Sequence, residues 1–270
     1  MGESMQKKNK KEILCVKNLS IQFGGLKAVD RLSFSVNEGE IYGLIGPNGA
    51  GKTTVFNCIT QFYTPDTGDI LFRTKEGKVE NLTHVKVHNI IKKGLVRTFQ
   101  NVELVQELSV LDNVLIGGHI DFQATLPELF LRLPRAKKEE REIRKKAEGV
   151  LEFLGIQDFK NELVKGQPYG IRKKVEMART LMAEPKLIIL DEPAAGLNDT
   201  ETLQLAETIR RIQQAYACTI LLVEHDMGLV MRICHRICVL SFGKLLAVGT
   251  PGEIQSNALV QEAYLGQKEA

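Results

Sequence analysis

The sequence has no tryptophan, and no apolar run in it approaches the roughly 18–20 residues that cross a bilayer as a helix. A membrane span is therefore not expected, and any membrane contact should be peripheral. Residues 1–11 are polar and lysine-rich, with no apolar stretch behind them such as a secretory leader needs, so a mobile tail and a cytoplasmic chain are expected. Cysteine is sparse: Cys15, Cys58, Cys218, Cys234 and Cys238 are odd in number and sit among apolar neighbours. That pattern excludes a disulfide scaffold and reads as reduced core thiols. Cys234 and Cys238 flank His235 within one helical turn, but too few further ligands lie nearby for a metal site. His84 and His88, also four apart, read as surface residues. An excess of one charge is missing too. The 36 basic and 33 acidic residues leave +3, which does not single out nucleic acid as a partner. No internal repeat or low-complexity tract is present.

What is there begins with Gly46-Pro47-Asn48-Gly49-Ala50-Gly51-Lys52-Thr53-Thr54, which fits G-x-x-x-x-G-K-[ST] in full. The apolar run Ile41-Tyr42-Gly43-Leu44-Ile45 before it reads as a buried strand, and Val55 onwards reads as a helix. Glycines at such a turn let the backbone curl until its N–H groups face one point, and the helix N-terminus adds partial positive charge there. Lys52 would reach the β- and γ-phosphates of a nucleotide, and the Thr53 hydroxyl would ligate Mg²⁺.

Around this loop the chain reads as α/β. Residues 13–16, 21–23 and 32–36 carry strand patterns upstream, and 70–72 and 96–100 carry them downstream, the last ending in Gln100. Residues 101–165 are mainly helical, with Ser109 as a helix cap and a charged helix over about 136–154. The basic residues between Arg132 and Lys146 are interleaved with Glu139, Glu140 and Glu142, which reads as a solvated helix face; lipid headgroup contact is the alternative. A helix follows over 172–182. Two apolar strands, 187–190 and 219–223, flank a helix over about 200–216, a parallel crossover unit, and a hairpin around Phe242-Gly243 closes the pattern.

Polar residues collect at the strand ends. Asp191 ends one strand and would hold the Mg²⁺ hydration shell opposite Thr53; Glu192, directly after it, could orient and polarise an attacking water. His225 ends the neighbouring strand. Gln100 could touch both a metal-bound water and a moving subdomain. Phe23, upstream of the loop, could stack on a purine base or belong to the core, at even weight.

With these residues in view, the sequence resembles the ATP-binding subunits of ABC transporters over about residues 12–266. The matching order is Gly46–Thr53, Gln100, Gly166–Ile171, Leu187–Glu192, Ala195–Asp199 and His225. It is most similar to the branched-chain amino-acid import ATPases, in Phe23–Val29, Val96–Gln100, Asp191–Asn198, Val223–Met227 and Glu262–Gly266. The resemblance implies a P-loop NTPase (RecA-like) core with an antiparallel β subdomain and an inserted α-helical subdomain. The core would comprise 12–100 and 172–270, and the helical subdomain 101–171, signature motif included. It implies ATP hydrolysis, with Gln100 as the Q-loop glutamine, Glu192 as the catalytic glutamate, His225 as the switch histidine and Phe23 as the base-stacking aromatic. Nucleotide contacts would come from Gly46 to Thr54 and, across a head-to-tail dimer, from Tyr169 and Gly170. Metal contacts would come from Thr53, Gln100 and Asp191. Membrane permease subunits are the implied partners, at the cytoplasmic face of the plasma membrane. The ATPase of another ABC transporter, such as a lipopolysaccharide exporter, and a soluble non-transport ABC ATPase are the alternative functions.

The departures from the family pattern lie in the signature. Where Leu-Ser-Gly-Gly-Gln or a near variant is usual, this chain has Gln167-Pro168-Tyr169-Gly170-Ile171. Pro168 removes a hydroxyl and a backbone N–H that could face a phosphate. The composite site built on this signature is expected to be weakened, which favours a heterodimer with a second ABC ATPase over pairing with itself. Gln61 stands where the family often has glycine.

Overall fold

The structure, a computed structural model, describes residues 11–98, 104–119, 128 and 133–265. Gln100 lies outside the described residues.

Two sheets organise the chain. The first is antiparallel, in the order β2-β1-β4-β5, built from β1 (Glu12–Phe23), β2 (Leu26–Asn37), β4 (Thr67–Arg73) and β5 (Val79–Asn81). The second has the order β10-β9-β3-β8-β7-β6, from β3 (Ile41–Ile45), β6 (Leu95–Arg97), β7 (Leu187–Asp191), β8 (Thr219–Val223), β9 (Arg236–Ser241) and β10 (Lys244–Gly249). Its strands run parallel except β10, which closes the hairpin on β9. The α-helices delimited among the described residues are α1 (Lys52–Ile59), α2 (Val87–Lys93), α3 (Val110–Gly117), α4 (Pro134–Phe153), α5 (Tyr169–Met182), α6 (Asp199–Ala215), α7 (Met227–Ile233), α8 (Pro251–Gln255) and α9 (Ala258–Leu265).

The parallel sheet is covered on both faces at its centre, which is why β3, β7 and β8 are buried at every position rather than at every second one. Successive side chains of a strand point to opposite faces, and here they separate into two cores. Leu187, Ile189, Leu221 and Val223 join the core shared with the antiparallel sheet and α1. Ile188, Leu190, Ile220 and Leu222 join the core shared with α3, α4, α5 and α6. The helices that follow residue 104 therefore hang on one face of the sheet that carries the phosphate loop, with α5 packed on both α3 and α4.

Local signals explain several boundaries. Ser109 caps α3 by accepting the Asp112 N–H, as expected. Pro134 occupies the first turn of α4, where its missing N–H costs nothing, so that helix begins two residues before the expected 136. Asn198 and Glu201 form a reciprocal capping box that starts α6 at Asp199. Helix α5 also begins early, at Tyr169 rather than Arg172. The expected strand over 96–100 is short among the described residues, Leu95–Arg97. All five cysteines are free thiols. His235 is occupied structurally: its Nδ1 accepts the Ile41 N–H at 2.9 Å. No helix among the described residues is long and apolar enough to cross a membrane.

Candidate functional site: a phosphate loop and its carboxylates

The carboxyl ends of β3, β7 and β8 lie side by side, and each delivers a polar turn to the same sheet edge. After β3 comes the phosphate loop. Gly46, Gly49 and Gly51 all have positive φ, at 156°, 76° and 97°. Gly46 and Gly51 are fixed by space as well. A Cβ at Gly46 would lie 2.3 Å from the Leu240 carbonyl oxygen, and one at Gly51 would lie 2.7 Å from that of Ala28. The loop is also tied sideways: Ala50 accepts the Gly243 N–H at 3.0 Å, and Gly243 accepts the Asp30 N–H at 2.9 Å. Lys52 is buried, and its Nζ reaches back over the loop to the carbonyls of Gly46 (2.7 Å) and Pro47 (3.1 Å). Burial lowers its pKa, while Glu192, Asp191 and Glu224 oppose that shift.

Asn48 to Thr54 line a cavity of about 430 Å³ together with Phe23, Leu26, Lys27, Ala28, Glu192, Phe242 and Gly243. Gly46 and Pro47 do not line it; their carbonyls hold Lys52 from beneath. Phe23 is 45% exposed, which decides against its being a core residue, and its ring meets Tyr63 edge-on at 5.2 Å. The cavity thus combines a cationic, glycine-rich loop with exposed apolar side chains. That is the chemistry of a base carrying a phosphate tail, so the residues present fit a nucleotide.

The carboxylates occupy the adjacent turns. Asp191, the last residue of β7, is buried, and burial pushes its pKa up to about 6 although the Arg97 guanidinium pulls it down. A desolvated acid of this kind is stabilised in its charged form by a cation, so its chemistry fits a divalent metal. Glu192 follows with φ 46°, an uncommon conformation for a side-chain-bearing residue, and it reaches the cavity wall. His225 Nδ1 lies 3.7 Å from Glu192 Oε1, a contact that becomes an ion pair when the imidazole is protonated.

Two residues of this edge were not foreseen. Glu224 is fully buried, and its carboxylate accepts the N–H groups of Ala194 (2.8 Å), His225 (2.8 Å) and Asp226 (3.1 Å). It joins the turn carrying Glu192 to the turn carrying His225. Nothing short of the fold reveals this, because the amides come from separate loops. Arg97 lies between the rings of Phe56 and Phe62, at 4.3 and 4.5 Å, and donates to Asn57 Oδ1 at 3.3 Å. It holds the end of β6 against the end of α1, beside Asp191.

Tyr169 and Gly170 are brought to another place. They start α5, exposed, and do not line the cavity. Tyr169 donates to the Ala195 carbonyl at 3.3 Å, and Lys173 donates to that of Pro193, so the signature turn is joined to the segment just after Glu192. Gln61 has φ 58°, which explains why glycine suits this position. Here the side chain compensates, donating to the Cys58 carbonyl at 2.7 Å and accepting the His84 N–H at 2.9 Å.

Comparison with known proteins agrees with this geometry. Residues 29–195 match the family described as ABC transporter, and residues 244–270 match the one described as branched-chain amino acid ATP-binding cassette transporter. The chain is 42% identical, over 94% of its own length and 98% of the relative's, to LivG of Escherichia coli (strain K12), a high-affinity branched-chain amino acid transport ATP-binding protein. It is 41% identical, at the same coverage, to BraF of Pseudomonas aeruginosa, which carries the same description. Among solved structures, it is similar to a nucleotide-free ATP-binding cassette from an ABC transporter, with TM-score 0.78, 33% identity, and 94% and 98% of the two chains covered. It is also similar to an ATP-binding cassette in its ADP conformation, with TM-score 0.80, 34% identity, and 94% and 99% covered.

Proposed function

The chain belongs to the ABC transporter family, as an ATP-binding cassette whose ATPase activity is coupled to transport, and from that premise we propose that it energises the import of branched-chain or other hydrophobic amino acids. The names of its relatives support that substrate class. One observation carries the residue assignments: Asn48 to Thr54, Phe23 and Glu192 share one cavity, while Tyr169 and Gly170 stand outside it.

In the proposed reaction, the loop amides and Lys52 bind the phosphates of ATP. Lys52 exchanges its bonds to the Gly46 and Pro47 carbonyls for phosphate oxygens, so the loop is already shaped when the nucleotide arrives. Glu192 aligns a water and holds its proton as that water attacks the γ-phosphorus, releasing ADP and phosphate. His225, beside Glu192, steadies the γ-phosphate edge. Mg²⁺ bound with the nucleotide supplies charge neutralisation at the phosphates; Thr53, Asp191 and Gln100 are the residues that would hold it. Phe23 stacks on the base.

The signature residues act on a second nucleotide, in the cavity of a second ATPase chain. ATP then touches two chains and favours their closure, and loss of the γ-phosphate removes that advantage. Pro168 weakens this half, which favours a heterodimer. The helical subdomain, taken as 101–171, carries the motion from the core at 12–100 and 172–270 to permease subunits on the cytoplasmic face of the membrane. The test is reconstitution with those permease subunits. Turnover that rises with leucine, isoleucine or valine is expected; turnover indifferent to all three overturns the substrate class. Full, cooperative turnover by this chain alone overturns the heterodimer.

A further inference from the structure

The β9–β10 turn carries a side chain that the reaction above does not use. Phe242 is 87% exposed, the most exposed large apolar side chain among the described residues. It also has φ 46°, in the left-handed region that a bulky residue adopts reluctantly. Hairpin turns of this kind favour Asn, Asp or Gly there. The position is therefore unfavourable twice over, in backbone and in hydration, which points to a ligand that covers the ring.

The turn cannot drift from the site. Gly243 bonds to the phosphate loop through Ala50 and to β2 through Asp30. A Cβ on Gly243 would fall 2.5 Å from the Ala28 carbonyl oxygen, so the turn is packed tightly against that strand. Phe242 lines the nucleotide cavity, as do Phe23 and Leu26, the latter 69% exposed. Three exposed apolar side chains thus share the wall of this cavity, where a phosphate tail has no use for them.

We propose that Phe242 is a second base-contacting aromatic, packing with Phe23 on the purine of the bound nucleotide. This rests on the ATP reading given above and adds a binding contact to it. Aromatic side chains hold bases through their π-faces, a contact sensitive to the presence of a base. The prediction is that Phe242 contributes to the affinity for ATP and nothing to the affinity for inorganic triphosphate.

The test uses two variants of the full chain and two probes, MgATP and Mg·triphosphate. Phe242→Asn suits the turn and should fold as well as the parent by thermal melt. Its dissociation constant for ATP should rise about fivefold to twentyfold, within the range that base stacking supports, with triphosphate affinity unchanged. Phe242→Trp introduces the sole indole into a chain that lacks one. Its emission should change on titration with ATP and stay constant with triphosphate. Parent-like ATP affinity in Phe242→Asn, equal weakening toward both probes, or an indole that responds alike to both would each overturn the proposal while leaving the phosphate loop assignment standing. A parent chain that binds neither probe would overturn the nucleotide reading itself.

Discussion

The phosphate loop and the signature turn are both short turns that open a helix, α1 in one case and α5 in the other, and both use glycine. Their surroundings differ. At the phosphate loop, Gly46 and Gly51 are hemmed in by backbone oxygens, Lys52 is buried, and the loop is bonded to the β9–β10 turn, which is itself bonded to β2. At the signature, Gly170 is exposed, and a Cβ there would meet nothing within 4 Å. The first glycines are required by this chain's own packing. The second is not, so any requirement for it comes from a molecule that approaches from outside. One half of the proposed chemistry is closed within the chain, and the other is exposed on its surface.

Five substitutions, in four comparisons, press on that contrast. The largest effect should come from Glu192→Gln, which keeps the shape of the closed half and removes its base; turnover should fall about 10²-fold or more with ATP binding retained. Unchanged turnover would remove Glu192 from the reaction. Next, Gly51→Ala should cost on the order of 2–3 kcal/mol in denaturant melts, through overpacking and a strained φ, whereas Gly170→Ala should stay within about 0.5 kcal/mol of the parent yet lower turnover in the assembled transporter. Equal melts for the two would dissolve the contrast.

Third, the closed half carries an electrostatic cost at Asp191. Its carboxyl is protonated in the folded chain up to about pH 6, against an ordinary value of 3.8. Folding therefore takes up a proton between these values, and stability declines as pH rises through the window and levels above it. Without nucleotide or Mg²⁺, Asp191→Asn should flatten that decline and stabilise the chain at neutral pH by roughly 2 kcal/mol. A parent-like slope would show that the acid is not desolvated. Smallest, Asn198→Ala removes the capping box of α6, just beyond the segment that meets Tyr169, and should cost about 1 kcal/mol by thermal melt without altering ATP binding to the closed half.

The same contrast separates what the sequence made legible from what it did not. The phosphate loop, β7, β8 and the crossover helix between them are written in local patterns: spacing, apolar runs, a carboxylate at a strand end. Strand β5, three residues with the pattern exposed, half-buried, exposed, has no such pattern and was not foreseen. Helices α8 and α9 are short and weakly patterned, although Thr250 and Glu253 form a capping box that announces the first of them. In the sequence Arg97 is only part of a strand, because its partners Phe56, Asn57 and Phe62 are brought to it by folding. Phe242 reads as a turn residue, and only its exposure and its place on the cavity give it a further meaning. The departure at Gln61 was visible; the side-chain bonds that make it tolerable were not.

Glu224 never meets solvent, yet it ties Ala194 to His225 and Asp226 with one carboxylate. The turn of Glu192, proposed to align water, and the turn of His225 are thereby yoked like two hands on a single lever. A compound that pried either turn loose would disarm both, without ever competing for the nucleotide.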